Sequence, residues 1–230
     1  MAIGKKIQGK KCLNRDKYIL EMCKHRRVLH IGCTDFPFFE KHCNKGDLLH
    51  QKLSFGTSEL VGIDMAQEDI KIMQDSGFDV RFMDAQNMTT LQQENLFEVI
   101  LLADIIEHVP NPGLILAEAK KLLSPNGLIL ISVPNAFGII RFLKSFFRYE
   151  QVHPDHVAYY SSGTLETLAQ RYNLIVQESN WYQFEAKDTR LIVQLSAFLE
   201  RLCTLLFPWH GEGCLVVLST KVCDLDIIPS

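Results

Sequence analysis

Two short apolar runs, each ending in a residue with chemical consequences, constrain this chain more than any other feature. Val28-Leu29-His30-Ile31 stops at Gly32-Cys33, and Leu60-Val61-Gly62-Ile63 stops at Asp64. Both runs are too short and too β-branched to favour helix, so each predicts a buried strand. In an open α/β sheet, ligands bind beyond the carboxyl ends of the strands. A glycine there lets the backbone approach a ligand closely. A carboxylate on the next strand accepts hydrogen bonds from a pair of neighbouring hydroxyls.

The turn after Gly32 argues against two nucleotide classes. A dinucleotide fold places three glycines there to wrap a pyrophosphate. Here Cys33-Thr34-Asp35-Phe36-Pro37 follows, without a second glycine, and Asp35 would repel a phosphate. No complete P-loop run, Gly-x-x-x-x-Gly-Lys-Ser/Thr, is present. A nucleoside that lacks phosphates and carries a cation fits these residues better, and S-adenosylmethionine is such a ligand. The competing reading of Gly32 and Asp64 alone is a strand pair that binds nothing.

With 230 residues the chain suits one domain, or one domain with an appendage, and a hydrophobic content of 47% suffices for a core. The net charge of −3 gives no global sign of a nucleic-acid partner. Seven cysteines, at 12, 23, 33, 43, 203, 214 and 223, form no Cys-x-x-Cys pair, which predicts reduced thiols in a cytoplasmic protein. No apolar run reaches membrane-spanning length, and the basic start, Met1 to Lys11, lacks the apolar stretch of a signal peptide. The expected division is an arm and helix over 1–27 and a main domain over 28–223.

Along the chain, helical and strand patterns alternate. Helices are expected at Asp16–Lys24, Gln67–Ser76 (closed by Gly77), Pro112–Leu123 and Thr164–Tyr172. Strands are expected at Asp79–Asp84, Phe97–Ala103, Leu128–Val133, from Leu174, and at Gly213–Ser219. An extra loop is expected over Phe36–Asp47, and a turn at Ser124-Pro125-Asn126-Gly127. Arg190 to Leu206 is an amphipathic helix whose stripe of Leu191, Leu195, Phe198, Leu199, Leu202 and Leu206 reads as core. This alternation predicts a mostly parallel sheet with right-handed crossovers. Polar residues close its strands: Asp84-Ala85 after one, and Asp104, Glu107 and His108 after another.

The run Phe97-Glu-Val-Ile-Leu-Leu-Ala-Asp-Ile-Ile-Glu-His-Val-Pro-Asn-Pro112 resembles the fourth-strand signature of class I S-adenosylmethionine-dependent methyltransferases. It is most similar to the branch that includes the ubiquinone-biosynthesis O-methyltransferases. Ser124-Pro-Asn-Gly127 with the following Leu-Ile-Leu-Ile-Ser-Val-Pro-Asn135, and His156-Val-Ala-Tyr-Tyr-Ser-Ser-Gly-Thr-Leu165, resemble the later signatures of that branch in the same order. The likeness implies a Rossmann-like three-layer αβα sandwich with a seven-stranded, mostly parallel sheet whose last strand is antiparallel. It also implies a cofactor site: His30, Gly32, Cys33, Thr34 and Asp35 near the methionine moiety, Asp64 and Met65 at the ribose, Asp84 and Ala85 at the adenine, and Ala103 and Asp104 near the amino-acid end. The chain departs from the pattern at His30, where an acid is usual, and two residues after Gly32, where a glycine is usual.

Methyl transfer to a hydroxyl needs a proton acceptor, for which His is the common choice. His156 is the first candidate and His108 the second. Asp104, Glu107 and His108 also make a carboxylate–carboxylate–imidazole set of the kind that holds a divalent ion in some relatives, but no metal is expected here. The segment 136–160 is expected to cover the acceptor pocket. Within it, 137–149 would place Arg141, Lys144 and Arg148 on one helical face, as a lid with an anionic handle or a weak membrane-surface contact. The acceptor would be a small molecule or saccharide. A methyltransferase fold that binds without catalysing is the alternative.

Overall fold

The computed structural model describes residues 7, 12–93, 96–183 and 190–221. Most of the Met1–Lys11 arm and Cys223 lie outside the described residues. The strands are β1 (Cys12–Leu13), β2 (Arg27–Ile31), β3 (Glu59–Asp64), β4 (Val80–Phe82), β5 (Phe97–Ala103), β6 (Leu123–Pro134), β7 (Ile175–Tyr182) and β8 (Gly213–Ser219). They form one sheet in the order β1-β7-β8-β6-β5-β2-β3-β4. Seven of them make the expected sheet, with only β8 antiparallel to its neighbours. The two-residue β1 adds an unexpected eighth strand on the β7 edge.

The sheet is buried on both faces because its central strands are apolar throughout. Val99 and Leu101 of β5 face α1 (Arg15–Cys23) and α3 (Leu49–Ser54), meeting Ile19, Met22 and Leu53. Ile100 and Leu102 face the other layer, meeting Ile115, Leu116 and Ala119 of α5 (Pro112–Leu122) and Leu165 of α7 (Ser162–Arg171). Between these layers the chain runs from β2 outward through β3 and β4, then returns to place β5 on the other side of β2. The order therefore reverses at the β2/β5 boundary, where such sheets open a crevice.

Several elements differ from expectation. The 36–47 insertion contains α2 (Phe39–Asn44) rather than loop alone, and the leucine-rich stretch after it forms α3. Residues 124–127 do not leave the sheet. They bulge within β6, whose pairing to β5 jumps from Leu123 to Leu128 while β5 advances from Phe97 to Val99. The helix expected over 137–149 is α6, which covers only Ile139–Ser145, so Phe146, Phe147 and Arg148 lie beyond it, and Arg148 sits at φ 57. The largest correction concerns α8 (Leu191–Leu206). Its apolar stripe is not core: Leu191, Leu195, Phe198, Leu199, Leu202 and Leu206 are each 44–74% exposed, and Leu205 beside them is 79% exposed. Among the described residues no helix is long and apolar enough to cross a membrane.

Leu101 has no exposed surface and lies on the strand that both layers share. Leu101→Ala should cost about 2–5 kcal/mol of stability, read as a lowered urea midpoint with unchanged slope.

Candidate functional site

The site begins at the tips of β2 and β5. His30 and Ile31 pair with Leu101 and Leu102, which brings Gly32 beside Ala103. Gly32 has φ 80, and a Cβ there would lie 2.0 Å from Ile105 Cδ1, so backbone conformation and space both require glycine. Asp104 follows β5 in a left-handed conformation, φ 54. Its carboxylate accepts from Arg15, from the Tyr182 hydroxyl at 3.1 Å and from Ser132 Oγ at 3.4 Å. Arg15 stands in the first turn of α1, where Asn14 Oδ1 caps the helix by accepting from Lys17 N. Burial works against the guanidinium charge, but Asp104, Tyr182 and Asp16 together more than offset it, so Arg15 stays ionised. Sequence reasoning missed Arg15, because nothing local marks a helix residue that meets a strand tip 89 positions away.

A recess of ≈ 130 Å³ opens here between Arg15, His30, Gly32, Asp35, Lys52 and Asp104. It offers charge of both signs, as a zwitterionic amino-acid group requires. His30 lies on its wall but is 2% exposed, stacked on His50 at 5.4 Å. Burial and the neighbouring His50 push its pKa well below the ordinary value, so its imidazole is neutral. The Cys33 thiol is raised by burial and packs into the core with Phe39, Leu48 and Ile70. Asp35 bonds His42, and burial raises its pKa against the pull of that partner.

Asp64 ends β3 with all its acceptor positions occupied. Oδ1 accepts from Met65 N at 2.7 Å and Ala66 N at 3.1 Å, and Oδ2 from Thr34 N at 3.0 Å and Thr34 Oγ1 at 2.8 Å. Only the Thr34 hydroxyl can leave by simple rotation. Asp84 sits one strand further out, exposed, and closes a turn by accepting from Gln86 N at 2.8 Å. Gly32, Asp35, Asp64, Ala103, Asp104, His108 and His156 surround one cleft of ≈ 650 Å³, whereas Thr34, Met65, Asp84 and Ala85 stand outside its walls.

The opposite wall of the cleft is built from imidazoles. Val157 N donates to Glu107 O at 2.8 Å, which fastens the 151–157 segment to the loop after β5. His108, His153 and His156 are thereby gathered with one ring nitrogen each inside 4.8 Å of one another. The ring of His156 lies 4.5 Å from that of His108 and 5.2 Å from that of His153. Burial, then the neighbouring His108 and His153, lowers the His156 pKa to about 4, and burial lowers His108 also. Neutral imidazoles in this arrangement can accept protons or ligate a divalent transition ion. The Asp104–Glu107–His108 set is not assembled: Asp104 is held by Arg15, and neither Glu107 oxygen has a partner. Arg141 is no free handle either, since its guanidinium turns back to Glu212 Oε2 at 3.1 Å.

Glu107 is fully buried, and burial followed by the nearby Asp104 pushes its pKa well above the carboxylate range. The folded state therefore holds a proton that the unfolded chain releases above its ordinary pKa of 4.5. Stability is lost as pH rises through that window. Glu107→Gln removes the titration, so the variant should melt above the parent at about pH 9 and close to it at about pH 5. Thermal melts at the two pH values check this.

A family profile described as "Methyltransferase domain" matches residues 6–179. Among curated relatives, the ubiquinone biosynthesis O-methyltransferase of Azorhizobium caulinodans is 29% identical over 135 residues, covering 57% of this chain and 47% of that protein. The protein of the same description from Pasteurella multocida is 28% identical over 124 residues, 48% and 47% of the two chains. This chain thus spans about half the length of the curated relatives it matches. In fold it is similar to a SAM-dependent methyltransferase from Archaeoglobus fulgidus (TM-score 0.56, 18% identity, 88% and 89% of the two chains). It is also similar to the CcbJ methyltransferase from Streptomyces caelestis (TM-score 0.60, 11% identity, 91% and 88%). With the Gly32 turn, the mixed-charge recess and the switch-point cleft in place, the chain belongs to the methyltransferase-domain family, and its cofactor is S-adenosylmethionine.

Proposed function

We propose that this chain transfers a methyl group from S-adenosylmethionine to an oxygen of a small molecule or saccharide. The observation that carries the reading is the single cleft that joins Gly32, Asp64 and Asp104 to His108 and His156. The names of the relatives favour an oxygen acceptor.

The residues present fit the cofactor. Gly32 lines both the recess and the cleft with Ile105 packed where a Cβ would lie, Arg15 offers a guanidinium to a carboxylate, and Asp35 and Asp104 offer carboxylates to an ammonium group. Asp64 would accept from the ribose once Thr34 Oγ1 turns aside, and Asp84 with the Ala85 N–H would meet the adenine edge. When bound, the cofactor supplies an activated methyl group on a sulfonium. The chain's own work is to orient the acceptor, exclude water and take up a proton. His156 is neutral at working pH and reaches the cleft, so we assign it the proton of the acceptor hydroxyl, with His108 beside it.

The saturated Asp64 carboxylate favours a second reading, a fold that does not catalyse. Calorimetry with S-adenosylhomocysteine separates the two at the first step. The intact chain should bind, and Arg15→Met should weaken binding roughly tenfold or more, as expected for a lost charged hydrogen bond. Absence of heat from the intact chain would overturn both the cofactor site and the proposed reaction.

For the chemical step, His156→Ala should lower S-adenosylhomocysteine production on a panel of phenols, alcohols and saccharides by about 10²–10⁴-fold. Its affinity for S-adenosylhomocysteine should not change. Production that survives a chelator assigns the imidazoles to proton transfer, and unchanged turnover in the variant discards His156. Binding without turnover on any acceptor class would support the non-catalytic reading.

A further inference from the structure

Helix α8 is inverted. Its polar residues face the protein: Glu200 and Thr204 are 5% and 4% exposed. Two hydrogen bonds to the rest of the protein lock that orientation, and a third lies within the helix. Glu200 Oε1 accepts from Glu212 N at 3.2 Å, Thr204 Oγ1 donates to Glu200 O at 2.8 Å, and Gln183 Nε2 donates to Thr204 Oγ1. The helix therefore presents Leu191, Leu195, Phe198, Leu202, Leu205 and Leu206 to solvent at i, i+4, i+7, i+11, i+14 and i+15. Isolated exposed leucines need no explanation, but a continuous apolar stripe held outward by buried hydrogen bonds does. Helix α6 packs against α8; Phe142 within it and Phe146 and Phe147 after it add apolar surface at 57–84% exposure, with Tyr149 at 60%.

The charges around this surface identify what covers it. Over 139–150 and 190–207, the cations are Arg141, Lys144, Arg148, Arg190 and Arg201. Of the acids, Glu200 is turned inward and Glu150 is exposed. Arg141 is taken by Glu212, itself 7% exposed. The surface is thus locally basic on a chain whose net charge is −3. Leucine and phenylalanine flanked by lysine and arginine are what a helix lying in a bilayer interface presents. Sixteen residues make a helix about 24 Å long, short of the ~30 Å hydrocarbon core, so α8 can lie on a membrane and not span it. We infer that α8 and the 142–149 segment dock this protein on an anionic lipid surface, with the apolar stripe in the headgroup boundary and Lys144, Arg148 and Arg201 on the lipid phosphates. This places the protein and does not depend on the proposed reaction.

Co-sedimentation with vesicles tests it. The full chain should bind phosphatidylcholine vesicles that contain phosphatidylglycerol, bind pure phosphatidylcholine vesicles several-fold less, and lose the difference at high salt. Leu195→Glu with Leu202→Glu should abolish binding. The milder pair Leu195→Ser with Leu202→Ser should weaken it at least tenfold, and Arg148→Glu with Arg201→Glu should remove the preference for anionic lipid. Thermal melts, rather than cofactor binding, report that each variant is folded, so a failed cofactor site leaves this result readable. Failure of the intact chain to bind either vesicle overturns the inference. A dimer in light scattering that the Leu195→Glu, Leu202→Glu pair dissociates, without vesicle binding, overturns it in favour of a second copy of the chain.

Discussion

The Asp104 carboxylate joins elements that are otherwise separate in the chain. It accepts from Arg15 on α1, from Tyr182 on β7 and from Ser132 on β6, and so ties both sides of the sheet to the tip of β5. The left-handed turn that aims it there is one that aspartate tolerates better than most residues. The Arg15–Asp104 pair is 24% and 28% exposed, so it is neither a screened surface contact nor a fully desolvated one. Its main consequence is positional. Arg15 is held at the mouth of the recess beside Gly32, and α1 becomes a wall of the cleft.

Much of this architecture was legible in the chain because parallel strands buried on both faces are written as unbroken apolar runs. Phe97–Ala103 was readable to the residue for that reason, and so was the antiparallel Gly213–Ser219, which is equally buried on both faces. The glycine at the end of β2 and the acids after β3 and β5 were readable because a switch-point cleft draws its polar groups from strand tips. Boundaries failed where local chemistry gave way to the sheet. The Pro125-Asn126-Gly127 stretch carries turn residues, yet strand pairing on either side keeps it in β6 as a bulge.

What could not be read was the direction of side chains whose partners lie far away in sequence. Periodicity shows that α8 has an apolar side, but it cannot say which side meets the protein. That was decided by Glu212 and Gln183, which hold Glu200 and Thr204 inward. In the same way, His108 and His156 were each visible as candidates. Their meeting with His153 follows from contacts between distant segments, the backbone bond from Val157 to Glu107 among them. Asp64 was expected as a vacant acceptor, and the structure shows it already in use by Thr34 and two backbone amides.

That prior occupancy changes how selectivity for the sugar would arise. A hydroxyl arriving at Asp64 exchanges with the Thr34 hydroxyl, one O–H···O⁻ bond for another, so the net gain at this position is small. Discrimination between ribose and deoxyribose would then be shallow. The free energy of association would come from the purine rim and the charged amino-acid end, the two extremities of the molecule, with its middle serving as a spacer.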